Sequence, residues 1–512
     1  MEKQIANISN RLLPLSDYVN KIPQVIFIFL CLALTFLSVR LNGNEEQYMQ
    51  LAKQFVNPDW IYQSQNLTEV AGTRIIYQTI VGYTLKYISF EITKLLYSLL
   101  LIIGFSLCLS KIYKALSFKN LHFLFHLSIF VFFGQSFFAG SWMLISVEPK
   151  GFSYLFILLS FYMILKDRFN WTLLCVTIAT YLHILVGFYT FAYILLTLFF
   201  CRKYFQINVT HLMKYAAIYV ALLIPFVIYL KISALDYEIS DNETSTSWIY
   251  TYFRSPHHTA IFKSFSYFIT THLSGITKAI IGLLSTIIMF PILKNDKNIR
   301  FISLFVIISL AGTLLLVSVA FFDTDGQILK FYLYRINTLS TFFLMLLIPL
   351  WAFYLTKQDY LQKIQLIIFL ISSFLLIKPI RYNLATNYSY PKSQISLNAL
   401  ADFIKNNTAS ESLILNYNEN LPIIRKSERS FFVSYKYIPA QLSKINDWYN
   451  RVQTKQEAKN DSLKVKELVN NYAIEYIVLP HNKKEWLDYR LIYENSDFLL
   501  LETGVKTSYN KK

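Results

Sequence analysis

Eleven runs of about 15–20 apolar residues punctuate this 512-residue chain. Each is close to the length that crosses a hydrocarbon core ~30 Å thick. They fall at approximately 23–39, 93–110, 121–139, 151–166, 171–185, 187–201, 214–231, 275–293, 301–320, 337–355 and 362–378. Charged residues make up only 15% of the chain and hydrophobic ones 54%, against roughly 25% charged in an ordinary soluble domain. The runs are apolar all round and lack the one-sided stripe of a surface helix. The pattern predicts an α-helical polytopic membrane protein of about eleven spans.

The fifth and sixth runs form one apolar block from Trp171 to Cys201, too long for a single crossing. His183 and Gly187 near its middle suit a tight turn, whereas one long tilted helix would invert everything downstream. Residues 23–39 follow a basic flank, and no small-x-small cleavage site precedes Arg40. They read as a retained first helix and not as a removed signal peptide.

The net charge of +17 is spread over short loops between spans, where Lys and Arg set orientation; with no nucleic-acid motif beside it, it does not point to DNA or RNA. With the N-terminus inside, the inner loops carry Lys111, Lys114, Lys119, Lys166, Arg168, Arg202, Lys203, Lys294, Lys297, Arg300, Lys357 and Lys363. The outer loops carry Glu45, Glu46, Asp59, Glu69, Glu148, Asp236, Glu238, Asp241, Glu243, Asp323 and Asp325. The bias keeps its sign along the chain, which supports splitting the 171–201 block. It predicts a cytoplasmic N-terminus and an extracytoplasmic C-terminus. All four cysteines (Cys31, Cys108, Cys175, Cys201) lie in apolar segments and read as small buried hydrophobes.

Two further pieces complete the domain plan. Residues 1–378 form the transmembrane domain, and its first outer loop, 40–92, carries a helix over 74–90. There Arg74, Gln78, Gly82 and Lys86 make a polar stripe at spacing four among Ile75, Ile76, Ile80, Tyr83 and Tyr87. Such a helix suits the membrane surface; the alternative is a span whose stripe faces the bundle. Residues 379–512 lack spans. Short strands at Leu413–Leu415, Phe431–Val433, Ile474–Leu479 and Phe498–Leu501 alternate with helices at 394–406, 440–451 and 461–471, which predicts a small extracytoplasmic α/β domain. It has no Gly-rich phosphate loop.

Few charges lie inside the spans and no paired Gly/Pro-broken segments appear, as a transporter would need. The candidate chemistry gathers instead in the outer loops. Glu45 and Glu46 follow the first span, and Glu148 precedes the fourth. Arg254, His257 and His258 lie between spans seven and eight, and Lys330 and Arg335 precede span ten. Carboxylates beside Arg, Lys and His suit a base that takes a proton while cations neutralise a leaving phosphate. Each has a plainer reading: Glu45 and Glu46 as a helix cap, Glu148 with Lys150 as a surface pair, Arg335 as an interfacial anchor. The adjacent histidines show no third ligand at zinc spacing.

These motifs resemble the GT-C superfamily of integral-membrane glycosyltransferases that use polyprenyl-phosphate sugars, and in particular poorly characterised bacterial members. The stretches that carry the likeness are Asn44-Glu45-Glu46-Gln47-Tyr48, Asn57-Pro58-Asp59-Trp60, Glu148-Pro149-Lys150, Pro256-His257-His258 and Asp447-Trp448-Tyr449-Asn450-Arg451. The resemblance implies a catalytic carboxylate at Glu45 or Glu46, where Glu replaces the usual Asp and Asn44 is the other position that fits. It implies a second outer-loop acid at Glu148, here single and not part of a two-acid motif, so dependence on a divalent cation (Mg or Mn) stays open. Arg254, His257, His258, Lys330 and Arg335 would bind the donor phosphate. The expected partners are a polyprenyl-phosphate-linked sugar, a glycan, lipid or protein acceptor, and membrane lipid, in a bacterial inner membrane. The other reading is a non-catalytic transporter or assembly partner in cell-surface glycan export.

Overall fold

A computed structural model describes residues 18–505, apart from 65, 68–70, 145, 234–243, 294–295, 356–357, 389–390, 419–420 and 485. Glu69, Asp236, Glu238, Asp241, Glu243, Lys294 and Lys357 therefore lie outside the described residues. Each of the eleven apolar runs overlaps a helix, although that of 121–139 is helical only to Phe132, where a turn through Gly134 ends it. In chain order these helices are α1 (Gln24–Phe36), α4 (Phe90–Ala115), α5 (Asn120–Phe132), α6 (Pro149–Leu165), α7 (Phe169–Leu182), α8 (Ile184–Cys201), α9 (Val209–Ser233), α10 (Ser274–Leu293), α11 (Lys297–Leu316), α12 (Asn337–Tyr354) and α13 (Gln358–Tyr388). Between the first two lie α2 (Gly43–Val56) and α3 (Ile75–Tyr87). Among the described residues, six helices are long and apolar enough to cross a bilayer, and five more apolar helices are shorter. The protein is a polytopic α-helical membrane protein with a small α/β region.

The chain divides into two compact units. The first comprises residues 1–38, 95–227 and 250–385, and the second residues 39–94, 228–249 and 386–512.

In the first unit the block from Trp171 to Cys201 is two helices. Helix α7 ends at Leu182, and His183, in an extended conformation, caps α8 by accepting from the Val186 N–H. Gly187 makes this close return workable: a Cβ there would stand 2.4 Å from the Thr180 Cα and 2.5 Å from its nitrogen. Elsewhere in this unit the apolar packing is aromatic. Phe161 lies against Phe305 and Phe343 with ring centroids 4.8 and 4.3 Å apart.

The second unit holds a five-stranded sheet of order β2-β1-β3-β5-β4. Its strands are β1 (Leu413–Asn416), β2 (Ser430–Phe431), β3 (Tyr476–Pro480), β4 (Arg490–Glu494) and β5 (Phe498–Glu502). β1 pairs parallel with β2 and β3, while β5 runs antiparallel to β3 and β4. β1 is buried at every residue, as expected of a parallel strand covered on both faces. Helices α14 (Lys392–Asn407), α15 (Leu421–Ser427), α16 (Ile445–Ala458) and α17 (Ser462–Tyr472) complete it. Leu51, Ile61 and Leu67 from the N-terminal segment share one core with Leu400, Ile404, Ile414, Ile424, Phe431 and Val478. Strand β4 has no counterpart in the sequence reading, because it is a short segment charged at both ends and lies at an exposed edge of the sheet.

Helix α3 packs in the opposite sense to a surface helix of a soluble protein. The middle of its polar stripe faces inward while Lys86 at its end is exposed: Gln78 donates to the Leu51 carbonyl at 3.1 Å, and Gly82 meets α2 so closely that a Cβ would stand 2.2 Å from the Ala52 oxygen. Ile80, Tyr83 and Tyr87 are left exposed, the side such a helix offers to lipid. Gly82→Leu is expected to prise α3 from α2 and destabilise the second unit by about 1–3 kcal/mol. Thermal unfolding of the detergent-purified variant measures this, and an unchanged midpoint would contradict the close approach.

Candidate functional site

Glu45 and Glu46 occupy the first turn of α2, where the helix dipole favours negative charge. Asn42 caps the helix by accepting from the Asn44 and Glu45 N–H groups, and Glu45 Oε2 accepts in return from the Asn42 N–H at 2.8 Å, a capping box. Neither carboxylate stands open to solvent. Glu45 is fully enclosed and its Oε1 lies 2.9 Å from the ammonium of Lys94, itself 2% exposed. Glu46 is clamped bidentately by Arg425, with Nε to Oε2 and Nη2 to Oε1 both 2.9 Å, and Oε2 also accepts from Gln50. Nη1 of Arg425 reaches Glu91 at 2.9 Å. Burial works against the Arg425 charge, but the carboxylates of Glu46 and Glu91 override it and raise its pKa above the ordinary value. Arg425 is a residue the sequence reading missed: it sits in an unremarkable helix 379 positions from its partner.

The remaining predicted residues lie in the first unit. Glu148 stands at the N-terminal boundary of α6 ahead of Pro149, is 1% exposed, and pairs with Lys150 at 3.0 Å while accepting from the Ser146 hydroxyl. The plain reading of a local pair thus holds in partnership, but the pair is buried. Hydrogen bonds tie two loops of this unit together. Tyr252 donates to the Asp323 carbonyl at 2.7 Å, Thr251 to that of Gly326 at 3.3 Å, and Tyr332 to the Ser255 hydroxyl at 3.0 Å. The Asp323 carboxylate accepts the backbone N–H groups of Gln327, Ile328 and Leu329, which fixes the turn leading to Lys330.

Arg254, His257 and His258 thereby stand near Arg335, whose guanidinium lies over the Tyr332 ring at 4.7 Å. Tyr332 is held in a left-handed conformation, φ +53°, a strained state for an aromatic residue of a kind that concentrates at functional sites. Lys330 donates to the Gln327 side chain at 3.1 Å.

Two polar atoms here have no hydrogen-bond partner among the described residues: the Nε of Arg335 and the Nδ1 of His258, both enclosed. The rings of His257 and His258 are 4.1 Å apart. Burial, then Arg335, His257 and Lys150, push the His258 pKa well below 6.5, and burial with Arg254 and Arg335 lowers that of His257. The His258 ring also bonds the Ala139 backbone. That leaves Nδ1 of the neutral ring as an acceptor, suited to a hydroxyl, whereas Arg254, Arg335 and Lys330 suit an anion. Among the described residues, no three His, Cys, Asp or Glu side chains stand together as a metal ligand set.

Two predictions follow from these charges. Glu46→Ala leaves Arg425 buried with only Glu91, and is expected to cost about 3 kcal/mol; Glu46→Leu with Arg425→Leu should recover most of it. Denaturant unfolding of the single and double variants decides, since a cost below about 1 kcal/mol would make the clamp incidental. The lowered His258 pKa means that the unfolded chain takes up a proton near pH 6.5 that the folded chain refuses. Stability is therefore intact above that pH and falls as the pH drops below it. A His258→Gln variant should flatten the acid side of a melting-temperature profile.

The chain is similar in fold to the oligosaccharyltransferase of Archaeoglobus fulgidus in its apo form, with a TM-score of 0.48 and 11% identity over 90% of this chain and 69% of that one. It is also similar to ArnT from Cupriavidus metallidurans. The apo state gives a TM-score of 0.41 and 12% identity over 93% of this chain and 95% of that one. The form bound to undecaprenyl phosphate gives 0.42 and 10% over 93% and 96%. No protein-family model and no curated protein matches the chain.

Proposed function

We propose that this protein is a membrane glycosyltransferase of GT-C type, which moves a sugar from a polyprenyl-phosphate donor to an extracytoplasmic glycan, lipid or protein acceptor with inversion. The observation that carries the reading is the pair Arg254 and Arg335 around His257 on two tied loops, with the Arg335 Nε enclosed and lacking a partner among the described residues. A phosphate oxygen is the partner such a group is built for.

In the reaction a base takes the acceptor hydroxyl proton, and the oxygen attacks the anomeric carbon. The bond from that carbon to the phosphate oxygen breaks, and the polyprenyl phosphate leaves with the electron pair. Arg254, Lys330 and Arg335, with His257 beside them, neutralise the charge that develops on the leaving group. The base role falls to Glu45, because Glu46 is held in the tighter, bidentate clamp. Glu148 acts by holding Lys150. The protein would sit in a bacterial inner membrane with its N-terminus in the cytoplasm and residues 379–512 outside.

The enclosure of both carboxylates, at 0% and 3% exposure, favours a second reading: a relative without transferase chemistry that serves as an assembly partner in glycan export. Sugar transfer from radiolabelled polyprenyl-phosphate sugars in membranes separates the two. The transferase reading expects Glu45→Gln to lower the rate ~10²–10⁴-fold and Arg335→Gln ~10²-fold, with both variants folded. Undiminished transfer in both variants would overturn the assigned roles. Absence of transfer by the wild type across the donor set would leave the assembly reading.

A further inference from the structure

One polar residue of the first unit has no place in the mechanism above. His272 is 1% exposed, and among the described residues neither of its ring nitrogens has a hydrogen-bond partner. It lies in a π-helical segment, Phe268–Leu273, that leads into α10, inside the apolar stretch Phe265–Ile292. A π-helical turn frequently marks a functional site. An ionisable side chain enclosed in a membrane segment is costly unless a ligand or partner meets it. Tyr267 meets the ring only edge-on, with centroids 5.4 Å apart, so the contact satisfies neither nitrogen. Gly275, one turn on from His272, packs so closely on the next segment that a Cβ would stand 2.1 Å from the Phe137 oxygen, and the His258 ring bonds Ala139 of that same segment while its Nδ1 stays unmet. Among the described residues three unmet imidazole nitrogens, two on His272 and one on His258, therefore lie on elements that meet the segment 137–139.

Their chemistry differs from that of Arg254 and Arg335. A neutral imidazole offers one donor and one acceptor, and the His258 nitrogen offers an acceptor. A phosphate, which only accepts, would leave the acceptors unmet. A hydroxyl both donates and accepts, so vicinal hydroxyls satisfy the set. We infer that His272, together with the His258 Nδ1, recognises hydroxyl groups of the sugar carried by the lipid phosphate. The inference rests on the proposed donor, and it adds sugar recognition to a site so far argued from phosphate binding alone.

The test uses the full-length protein in detergent, with undecaprenyl phosphate and the same lipid phosphate bearing a pentose or a hexose as probes, and binding read by native mass spectrometry. The wild type is expected to prefer at least one sugar-bearing lipid over the bare phosphate. His272→Phe, which keeps the ring and removes both nitrogens, should reduce that preference about 10-fold without changing affinity for undecaprenyl phosphate. His272→Asn, which keeps a donor and an acceptor, should retain part of it. If His272→Phe does not fold, His272→Leu serves in its place.

A wild type indifferent to every sugar overturns the inference. So does a preference that survives His272→Phe, as it would if a buried water alone met the ring. Arg335→Gln reports on the underlying reading: unchanged affinity for bare undecaprenyl phosphate would remove the phosphate site, whereas the His272 result is scored on the sugar alone.

Discussion

The second unit depends on ionised groups held out of water only in pairs. Arg425 meets Glu46 through two bonds and Glu91 through a third, and Lys94 meets Glu45 at 2.9 Å. A buried ion costs several kcal/mol to desolvate, and its partner offsets that cost only when geometry and further hydrogen bonds are good. The partners come from opposite ends of the sequence, so α2 and the C-terminal α/β region have to fold as one body. The shared core of Leu51 and Ile61 with Ile414 and Phe431 requires the same thing through hydrophobic burial. Asn66 repeats the logic with neutral groups: its side chain donates to the Phe431 carbonyl and accepts from the Ser434 N–H.

The first unit treats its polar groups differently. Most polar side chains in its helices are satisfied locally, as when Thr190, Thr197 and Thr313 each bond the carbonyl four residues back. That pattern keeps hydroxyls quiet inside apolar surroundings. Among the described residues enclosed nitrogens of His258, His272 and Arg335 lack hydrogen-bond partners, as do single ones of His126, Arg300 and Trp351 in the same unit. Buried polar groups in folded proteins are overwhelmingly paired, so His258 and Arg335, close together on tied loops, ask for a ligand more forcefully than either would alone.

The helices were legible in the sequence because a bilayer imposes a length and a composition that no soluble fold imitates. The strands of residues 413–415, 431–433, 474–479 and 498–501 were legible because buried strands are short and apolar at every position. Three things were hidden, each for a physical reason. Arg425 carries no local signal, since what it clamps is far away in sequence and only folding brings the two together. The edge strand β4 gives a weak signal because it is short, charged at both ends and buried at no residue. His272 fell outside the predicted span 275–293 because Thr270 and Thr271 break the apolar run before it. The helical segment nevertheless starts at Phe265, with Thr270 returning its hydroxyl to the Ser266 carbonyl.

Outer-loop charge was the sequence feature that drew attention to Glu45 and Glu46, yet charge alone does not separate a working group from a structural one. The separating property is whether a polar atom already has its partner. By that measure Glu46, with both oxygens occupied by Arg425, resembles Asp323, which spends its carboxylate on three backbone N–H groups to shape a turn. Arg335 does not: its guanidinium leans on an aromatic face and keeps an enclosed N–H unmet. A side chain already satisfied in the resting fold must break a bond before it can act. One that is unsatisfied gains a bond when its ligand arrives, so ligand binding there is favoured by the same term that otherwise penalises burial. That asymmetry is why the loops around Arg254 and Arg335 carry the functional reading of this protein, although the acidic turn after the first span is the more conspicuous feature of its sequence.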